Sequence, residues 1–430
     1  MSERELIVLL GGIECGRVLQ DRHGRARLVY ADAWRNSPTA YPLSLSMPLQ
    51  ATEHGPARIE AYLWGLLPDN SAILQRWAVR FKVSARNAFA LISQVGEDCA
   101  GAVQLVRPER IDALDEGKRA AVEWLTEAEV AERLRALRLD PGASRAPTDV
   151  GQFSLAGAQP KTALLFEKGR WGVPSGRTPT THILKPPTGA FEGFAENEHF
   201  CLELARALGL PTAQSRVLRF GDEIAIVIER YDRVRSASGW TRIHQEDLCQ
   251  AMGIPPTKKY QSEGGPGARS IVELLRLHSS APAEDTQTFL AALGQTWLLA
   301  ATDGHAKNYS LLAGSGGRVR LAPLYDIASV LPYPRFDLDR VKLAMKVGDK
   351  YRLRDIGRRE WERLSGEVKA NTDELIGTLI HMAETLPDLI ADTAHAATAA
   401  GLKPAVIEPL STRLIGHSRV CLRKLRGGKG

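Results

Sequence analysis

Short apolar runs alternate with turn residues over the first hundred positions of the chain. The runs LIVLLGG, ARLVYA, YPLSLSMPL and GAVQLV have the length and turn boundaries of strands. Helices are predicted near residues 56–66, 71–80 and 84–93. We therefore predict a small β-rich α/β subdomain over residues 1–107.

The segment 108–150 is charged and poor in strand signals, and we interpret it as a helical connector. Thr126 and Glu129 have the spacing of a capping box, and an apolar stripe follows them. This pattern predicts a helix that ends at Pro141. The sequence PGASRAPTD, residues 141–149, is the predicted linker.

Strand patterns return over residues 151–244, which we predict to be a β-rich lobe. FSLAG with KTALLFEKGRWGVP predicts a hairpin, THILKPP a strand, and QSRVLRFGDEIAIVIERYDR two strands joined at Gly221 and Asp222. One helix, ENEHFCLELARALGL, is predicted to end at Gly209. Residues 245–430 have helical patterns, and we predict a helical lobe there whose exception is a hairpin in NYSLLAGSGGRVRLAPL.

Composition narrows the class of protein without naming a function. The 430 residues carry a formal charge of +6, and 44% are hydrophobic. Five scattered cysteines without a CxxC pair argue against a disulfide framework or a zinc site and are expected in a cytoplasmic protein. The N-terminus lacks the pattern of a signal peptide, and no apolar stretch reaches 18 residues, so no membrane association is expected. Six bases and no acid follow Glu408, a pattern typical of a nucleic-acid contact or of a solvated helix end.

A group of polar residues interrupts the helical lobe between two apolar segments. ATDGHAKNYSLL places Asp303, His305, Lys307 and Asn308 within six positions, directly after the apolar run FLAALGQTWLLA. Polar groups in such surroundings cost free energy unless they are paired or used. Asp303 and Asn308 have the D-x-x-x-x-N spacing with which protein kinases carry a catalytic Asp and a metal-binding Asn.

The other parts that phosphoryl transfer needs are also present, in a suitable order. Asp326 follows 18 residues after Asn308, beyond the predicted hairpin, and Lys185 on a predicted strand precedes Glu198 on a predicted helix. Two carboxylates about 5 Å apart repel by roughly 3 kcal/mol at an effective dielectric of about 20, and Mg²⁺ reverses that sign. Each signal also has a structural interpretation, because Asp303 can belong to a plain turn and His305 can be a structural histidine.

Many motifs of the chain, in order, resemble those of the HipA-type serine/threonine kinase toxins of bacterial toxin–antitoxin pairs. The matching segments are FSLAGAQPKTALL, PTTHILKPP, ENEHFCLELARALGL, ERYDR, QEDLCQAMG, KYQSEGGPG, ATDGHAKNYSLL, PLYDIAS and VKLAMKVG. YPLSLSMPLQ and WGLLPDN resemble the N-terminal subdomain of that family. The resemblance implies an α+β, bilobal protein-kinase-like fold with an additional small β-rich N-terminal subdomain.

The resemblance also implies roles for individual residues in a site for ATP and Mg²⁺. Asp303 would be the catalytic base, with Asn308 and Asp326 as the metal ligands. His305 would help to position the nucleotide or the nucleophile. Lys185 would bind the phosphates and be positioned by Glu198. The remaining residues implied to bind ATP are the phosphate loop Ala156, Gly157, Ala158, Gln159, Pro160 and Lys161, the hinge Glu229, Arg230 and Tyr231, and Ala306, Lys307 and Tyr325.

The family further implies regulation, a substrate class and partners. Ser154 matches the serine that these kinases autophosphorylate, which displaces the phosphate loop and switches the kinase off. The expected substrate is a translation protein such as an aminoacyl-tRNA synthetase, notably the glutamyl enzyme. The expected partner is a HipB-type helix-turn-helix antitoxin, through which operator DNA is bound. Two alternatives remain open on the residues alone, a small-molecule phosphotransferase and a catalytically silent corepressor.

Overall fold

The structure is a computed structural model that describes residues 3–116, 122–140, 143, 153–187, 192–237 and 239–427. The chain forms two compact units, each assembled from separate stretches. Unit 1 comprises residues 1–189, 218–257 and 311–319, and unit 2 comprises residues 190–217, 258–310 and 320–430. The predicted linker 141–149 lies outside the described residues apart from Ala143, and the predicted boundaries at 107, 150 and 244 stay predictions.

Strands dominate unit 1, and helices dominate unit 2. The strands are β1 Arg4–Leu10, β2 Ile13–Gln20, β3 Ala26–Tyr30, β4 Glu53–His54, β5 Val103–Val106, β6 Val122–Leu125, β7 Thr162–Glu167, β8 Arg170–Pro174, β9 His182–Lys185, β10 Ser215–Phe220, β11 Glu223–Glu229, β12 Arg233–Ser236, β13 Gly239–Arg242, β14 His244–Asp247, β15 Ser310–Gly314, β16 Arg318–Leu321, β17 Lys342–Val347 and β18 Lys350–Arg352. The helices are α1 Asp32–Arg35, α2 Pro56–Gly65, α3 Ser71–Phe81, α4 Ala88–Val95, α5 Ile111–Glu116, α6 Glu127–Leu139, α7 Phe194–Ala207, α8 Leu248–Met252, α9 Ala268–His278, α10 Pro282–Leu298, α11 Arg358–Glu367, α12 Thr372–Ala399 and α13 Pro404–Leu425.

The first sheet of unit 1 has the strand order β4-β3-β2-β1-β5. Its strands pair antiparallel, and one face packs on α2, α3 and α4 in a core that includes Leu28, Ile59 and Trp77. The predicted strands in LIVLLGG, ARLVYA and GAVQLV and the helices predicted over 56–93 are confirmed. Strand β2, which follows the turn at Gly11 and Gly12, was not predicted from the sequence.

The strand predicted in YPLSLSMPL is wrong. Pro42 and Pro48 lack an N–H, and the residues between them make an isolated bridge from Ser44 to Met47 instead of a ladder. Side chains satisfy this backbone: the Tyr30 hydroxyl accepts from Leu43 N at 2.8 Å, and Glu246 accepts from Leu45 N at 2.8 Å. The segment is therefore a buried loop fixed by side-chain hydrogen bonds.

The second sheet of unit 1 has the order β10-β11-β9-β7-β8-β6. Helix α6 covers it, and its Thr126–Glu129 capping box and its end before Pro141 are as predicted. The segment 108–150, predicted as a helical connector with poor strand signals, also contains strand β6, in which Val122–Leu125 pairs antiparallel with β8. Trp124 of this strand lies under Arg170 at 4.2 Å, a cation–π contact that supports an otherwise polar edge.

A charge network lies inside unit 1 and joins residues far apart in the chain. Asp98, Arg230, Asp232 and Arg233 are all at most 6% exposed. Arg233 Nη2 lies 2.9 Å from Asp98 Oδ1, and Arg230 Nη2 lies 2.9 Å from Asp232 Oδ2. Asp98 also accepts from the backbone N–H of Thr180 at 2.9 Å. We call this group the buried charge network.

Unit 2 is a helical unit whose core includes Trp297 of α10 and Trp361 of α11, with ring centroids 5.8 Å apart. Helix α12 packs on α13, α10, α11 and α7. The hairpin β15–β16 is as predicted, but β17 and β18 form a further antiparallel pair, so the helical part has more than one exception. Among the described residues, no helix is long and apolar enough to cross a membrane.

Candidate functional site

The polar segment 303–308 follows the end of α10 in unit 2. Ala301 N donates to Thr296 O at 2.8 Å, and Ala300 adopts a positive φ of 49°, so the chain reverses within two residues. A single turn of 3₁₀ helix over Ala306–Asn308 then leads into β15. The apolar run ends where a left-handed residue stops the helix, and the polar side chains are fixed on the loop that follows.

Asp303 projects from this loop with 66% of its side chain exposed. Its Oδ1 accepts a hydrogen bond from the Tyr260 hydroxyl at 2.6 Å, and it lies 3.9 Å from His305 Nε2. The neighbours His305, Lys307 and Asn308 are each at most 8% exposed. Asp303 is therefore an accessible carboxylate at the start of a segment whose next polar side chains are buried.

Asn308 is oriented by the same loop. Its Nδ2 donates to Asp303 O at 2.7 Å, and its backbone N–H donates to His305 O at 2.9 Å. Because the amide nitrogen is used in this bond, the side-chain oxygen is the atom left to bind a ligand.

Asp326 has a backbone conformation that non-glycine residues rarely adopt, with φ at 58°. Such conformations cost free energy, and they persist where surrounding structure or function requires them. The 2.8 Å hydrogen bond from the Tyr325 hydroxyl to Lys307 O brings the residue before Asp326 to the loop that carries Asp303. The negative charge of Asp326 favours the charged form of His305, in opposition to the effect of burial.

The surroundings of His305 disfavour the charged form of its imidazole. Burial lowers the pKa of His305 below its usual value, and the negative charges of Asp303 and Asp326 oppose that effect only in part. Its ring packs edge-on against Tyr260 with centroids 4.9 Å apart. Its Nδ1 is buried without a hydrogen-bond partner among the described residues, a costly state that a bound ligand would relieve.

Lys307 and Tyr325 complete this part of unit 2. The Tyr325 hydroxyl donates to Lys307 O at 2.8 Å and shares a 2.7 Å hydrogen bond with Ser310 Oγ. Ala306 is fully buried, and its N–H points to Lys259 O at 3.4 Å. The residue before Asp326 is thereby fastened to the residue before Asn308.

The predicted phosphate loop, residues 156–161, lies in unit 1 and is closed by its own lysine. Lys161 Nζ donates to Ala156 O at 2.7 Å, and Gly157 has a φ of 104°. This positive φ favours glycine, because other residues rarely adopt it, and a side chain at position 157 would also have to displace Lys161 Nζ. Pro160 is buried, whereas Ala158 is exposed. The side-chain oxygen of Gln159 is buried without a partner in the described structure.

Ser154 precedes this loop and is fully buried in unit 1. Its hydroxyl donates to Leu66 O at 2.7 Å, and its N–H donates to Asp98 O at 3.0 Å. In this conformation the hydroxyl is inaccessible to a phosphate donor.

The remaining predicted residues lie on β9, on the segment after β11, and on α7. Lys185, at the end of β9, is 6% exposed and pairs in register with Ile226. Arg230 N donates to Thr181 O at 2.9 Å, and its guanidinium belongs to the buried charge network. Glu229 is exposed and Tyr231 half-buried. Glu198, the predicted partner of Lys185, is fully buried on α7 in unit 2.

Asn308 and Asp326 offer oxygen ligands, the type that Mg²⁺ prefers. An all-protein cage is absent, since no group of three or more His, Cys, Asp or Glu residues in the described part of the chain could hold a metal. Magnesium in phosphoryl transfer is bound by one or two protein groups together with substrate phosphates and water, and an Asn oxygen with one carboxylate meets that requirement.

Sequence reasoning did not assign a role to Tyr260. It lies 43 residues before Asp303, in a loop formed by two 3₁₀ turns, Pro256–Lys258 and Gln261–Glu263. The segment KYQSEGGPG supported the family resemblance, but its composition indicates only a glycine-rich turn. A hydrogen bond across 43 positions leaves no periodic signal in one sequence.

Family models and individual relatives both match this chain to the same protein family. The description "HipA-like C-terminal domain" matches residues 153–399, and "HipA N-terminal domain" matches residues 6–106. The chain is 38% identical to the putative kinase Y4mE of Sinorhizobium fredii, over 86% of each protein. It is 30% identical to the serine/threonine-protein kinase toxin HipA of Shewanella oneidensis, over 84% of this chain and 83% of that protein.

A solved structure agrees with these sequence matches. The Shewanella oneidensis complex of HipA, HipB and operator DNA contains a chain that superposes with a TM-score of 0.84 at 25% identity, covering 99% of both chains. This match confirms the predicted α+β fold of the HipA kinase type. The chain therefore belongs to the HipA family and is a HipA-type serine/threonine kinase.

Proposed function

We propose that Asp303 is the catalytic base of an ATP-dependent transfer of phosphate to a serine or threonine hydroxyl of a protein. The observation that carries this proposal is the contrast within one loop, where an exposed Asp303 carboxylate, which accepts a hydrogen bond from Tyr260, is followed by the buried polar side chains of His305, Lys307 and Asn308. A general base has to be reachable by its substrate and fixed in orientation, and Asp303 meets both conditions.

Asn308 and Asp326 would hold Mg²⁺ through their side-chain oxygens. The ion, when bound, neutralises charge on the transferring phosphate. The hydrogen bond that orients the Asn308 amide supports this role, and the unusual backbone of Asp326 is of a kind that persists at functional sites. The buried His305 would supply its unpartnered Nδ1 to the nucleotide.

Within unit 1, the nucleotide phosphates would be bound by Lys185 and by the backbone of the loop 156–161. The adenine would contact the backbone of the segment 229–231. The side chain of Arg230 is buried in the charge network and has a structural role. Only the backbone of Arg230 would therefore contact a ligand. Ala306, Lys307 and Tyr325 would complete the site, fastened by the hydrogen bond from Tyr325 to Lys307.

Ser154 would be the autophosphorylation site, and its burial makes the modification a switch. Its hydroxyl must leave the carbonyl of Leu66 before it can accept phosphate. A phosphate brings about −1.5 to −2 charges, which the buried position cannot accommodate. The modified residue would therefore stay outside and displace the phosphate loop that follows it.

The proposed substrate is a translation protein such as an aminoacyl-tRNA synthetase, and the proposed outcome is growth arrest. The structure with TM-score 0.84 is a complex of HipA with HipB and operator DNA, which supports a HipB-type antitoxin as partner and co-repression through it. Action in the cytoplasm is supported by five buried cysteines, at positions 15, 99, 201, 249 and 421, all of them free in the described structure.

The test is the mass of the intact protein after incubation with Mg²⁺ and ATP, with the phosphosite mapped. Wild type should gain one phosphate, on Ser154, and Asp303→Ala should gain none, because loss of a general base costs roughly 10²–10⁴ in rate. The matched control is Asp392→Ala, an exposed aspartate in the middle of α12 of the same unit. Phosphate incorporation by Asp303→Ala at the wild-type rate would refute the proposal.

A further inference from the structure

We infer that Tyr260 is a positioning residue for Asp303, which orients the carboxylate for proton transfer. The inference rests on the proposed role of Asp303 and adds to it a residue outside the predicted site. Its basis is the 2.6 Å hydrogen bond from the Tyr260 hydroxyl to Asp303 Oδ1. Bonds from a hydroxyl to an ionised carboxylate are short and about twice as strong as bonds between neutral groups.

The bond leaves the two carboxylate oxygens with different tasks. Oδ1 accepts from Tyr260, so Oδ2 is the oxygen left to accept the proton of a substrate hydroxyl. In the transfer, a bond forms from the hydroxyl oxygen to the γ-phosphorus, and the bond from that phosphorus to the bridging oxygen of ADP breaks. The hydroxyl proton moves to Asp303 Oδ2, and Tyr260 keeps its own proton throughout.

Several contacts hold the Tyr260 ring. It packs edge-on against His305 with centroids 4.9 Å apart, and Lys259 Nζ lies 5.6 Å from its centroid. Lys259 also accepts from the N–H of Ala306 at 3.4 Å, which joins this loop to the loop of Asp303. The hydroxyl therefore has a defined direction before any substrate binds.

The loop that carries Tyr260 is itself fixed. Gly265 N donates to Tyr260 O at 3.0 Å, and a Cβ at position 265 would lie 2.0 Å from Lys258 O, so only glycine can close this turn. Gln261 Oε1 accepts from Lys346 N at 2.7 Å, which fastens the loop to β17. Preorganised supports of this kind are what hold a catalytic group in its productive geometry.

The solvent exposure of Asp303 indicates that its hydrogen bond with Tyr260 positions the carboxylate and contributes little to folding stability. Asp303 is 66% exposed, and interactions of charges at such positions contribute little to folding stability. A hydrogen bond that contributes little to stability and fixes a reacting group should affect the rate far more than the fold. Loss of the Tyr260 hydroxyl should thus lower turnover and leave the melting temperature unchanged.

The test is Tyr260→Phe, which removes the hydroxyl and keeps the ring on His305. The probe is single-turnover incorporation of labelled phosphate from MgATP into the chain itself and into added casein, at varied ATP. We expect the limiting rate to fall by up to about tenfold relative to wild type. The half-saturating ATP concentration should stay within about twofold of wild type, and the thermal midpoint should not change. The control is Tyr351→Phe, which removes the hydroxyl of another half-buried tyrosine in unit 2.

A second comparison removes the base as well. In an Asp303→Asn background, Tyr260→Phe should cause no further loss of rate, because its effect acts through the carboxylate. An unchanged rate in Tyr260→Phe, or a loss that is the same in both backgrounds, would overturn the inference and leave the proposed function standing. Full activity in Asp303→Ala, or no transfer by wild type to either acceptor, would overturn both.

Discussion

Two groups of polar side chains sit in apolar surroundings, and they differ in how completely they are paired. The buried charge network of unit 1 has both carboxylates bonded at each oxygen: Asp98 by Arg233, Arg242 and Thr180, and Asp232 by Arg230, Arg233 and Gly101. The loop around Asp303 in unit 2 has an exposed base, an unpartnered His305 Nδ1 and a strained Asp326.

The difference separates polar groups that are fully paired inside the protein, in the buried charge network, from polar groups around Asp303 that are available to the proposed ligands. Burial alone would raise the pKa of Asp98, yet Arg233, Arg242 and Arg230 together hold it well below its usual range. The charge of Asp98 is thus fixed by protein groups and needs nothing from outside. In the loop around Asp303, by contrast, the carboxylate is exposed and His305 Nδ1 has no hydrogen-bond partner among the described residues, as the proposed binding of a nucleotide and a substrate hydroxyl requires.

The largest effect on stability should come from breaking the network. Asp98→Asn removes a charge that three arginines face, and removal of one partner from a buried ion pair costs about 3–5 kcal/mol of unfolding free energy. Chemical denaturation followed by fluorescence measures this change. The control is Asp32→Asn, whose exposed pair with Arg35 should contribute less than about 1 kcal/mol. Equal effects of the two variants would contradict the comparison.

A smaller effect should come from Glu246 of unit 1, which is buried but only partly bonded. Leu45 N donates to its Oε1, whereas its Oε2 has no partner among the described residues. Burial raises the pKa of Glu246 to about 8, well above the value of 4.5 that is usual for a glutamate. Between those values the folded state binds one proton more than the unfolded state, so stability falls as pH rises from 4.5 to 8.

Glu246→Gln should remove that part of the decline. We expect the variant to gain on wild type by roughly 3 kcal/mol between pH 5.5 and pH 8.5, because the amide carries no charge to bury. Denaturation at the two pH values measures the gain, and Glu408→Gln, at an exposed position on α13, is the control. A difference that is the same at both pH values would show that Glu246 is not protonated in the folded protein.

The smallest stability effect should come from Asp326, where backbone strain and charge can be separated. Asp326→Asn removes the charge and keeps a residue that tolerates the left-handed region, whereas Asp326→Ala should cost about 1 kcal/mol more at a φ of 58°. Both variants should lose phosphate transfer. Thermal unfolding and phosphate incorporation together measure the two contributions. Activity in Asp326→Asn at the wild-type rate would show that the charge is not needed.

Local chemistry made much of the fold predictable. The Thr126–Glu129 capping box, the turn at Gly221 and Asp222, and the end of the apolar run before Asp303 each depend on residues a few positions apart, and each was predicted correctly. The roles of Asp303, Asn308 and Asp326 followed from their spacing and from the resemblance, and they stay predictions until the variants are measured.

Long-range pairing was not predictable. The network joins Asp98 to Arg233 across 135 positions, and the site joins Tyr260 to Asp303 across 43. The segment 41–49 alternates like a strand, but its backbone is satisfied by Tyr30 and Glu246, which a local pattern does not show. In these cases the structure depends on contacts between side chains that are far apart in the chain, and a single sequence does not show which residues are in contact.

Because unit 1 is assembled from separate stretches of the chain, truncating the protein at a family boundary would remove contacts within that unit. Sequence families divide this protein into a front piece ending at residue 106 and a catalytic piece starting at 153. Yet Phe153 bridges Asp98, Gly157 bridges Pro68, and Ser154 bonds Leu66, all within unit 1. The segment 153–399 expressed alone would lack residues of unit 1 that its first residues contact. The boundaries of the sequence families therefore differ from the boundaries of the compact units.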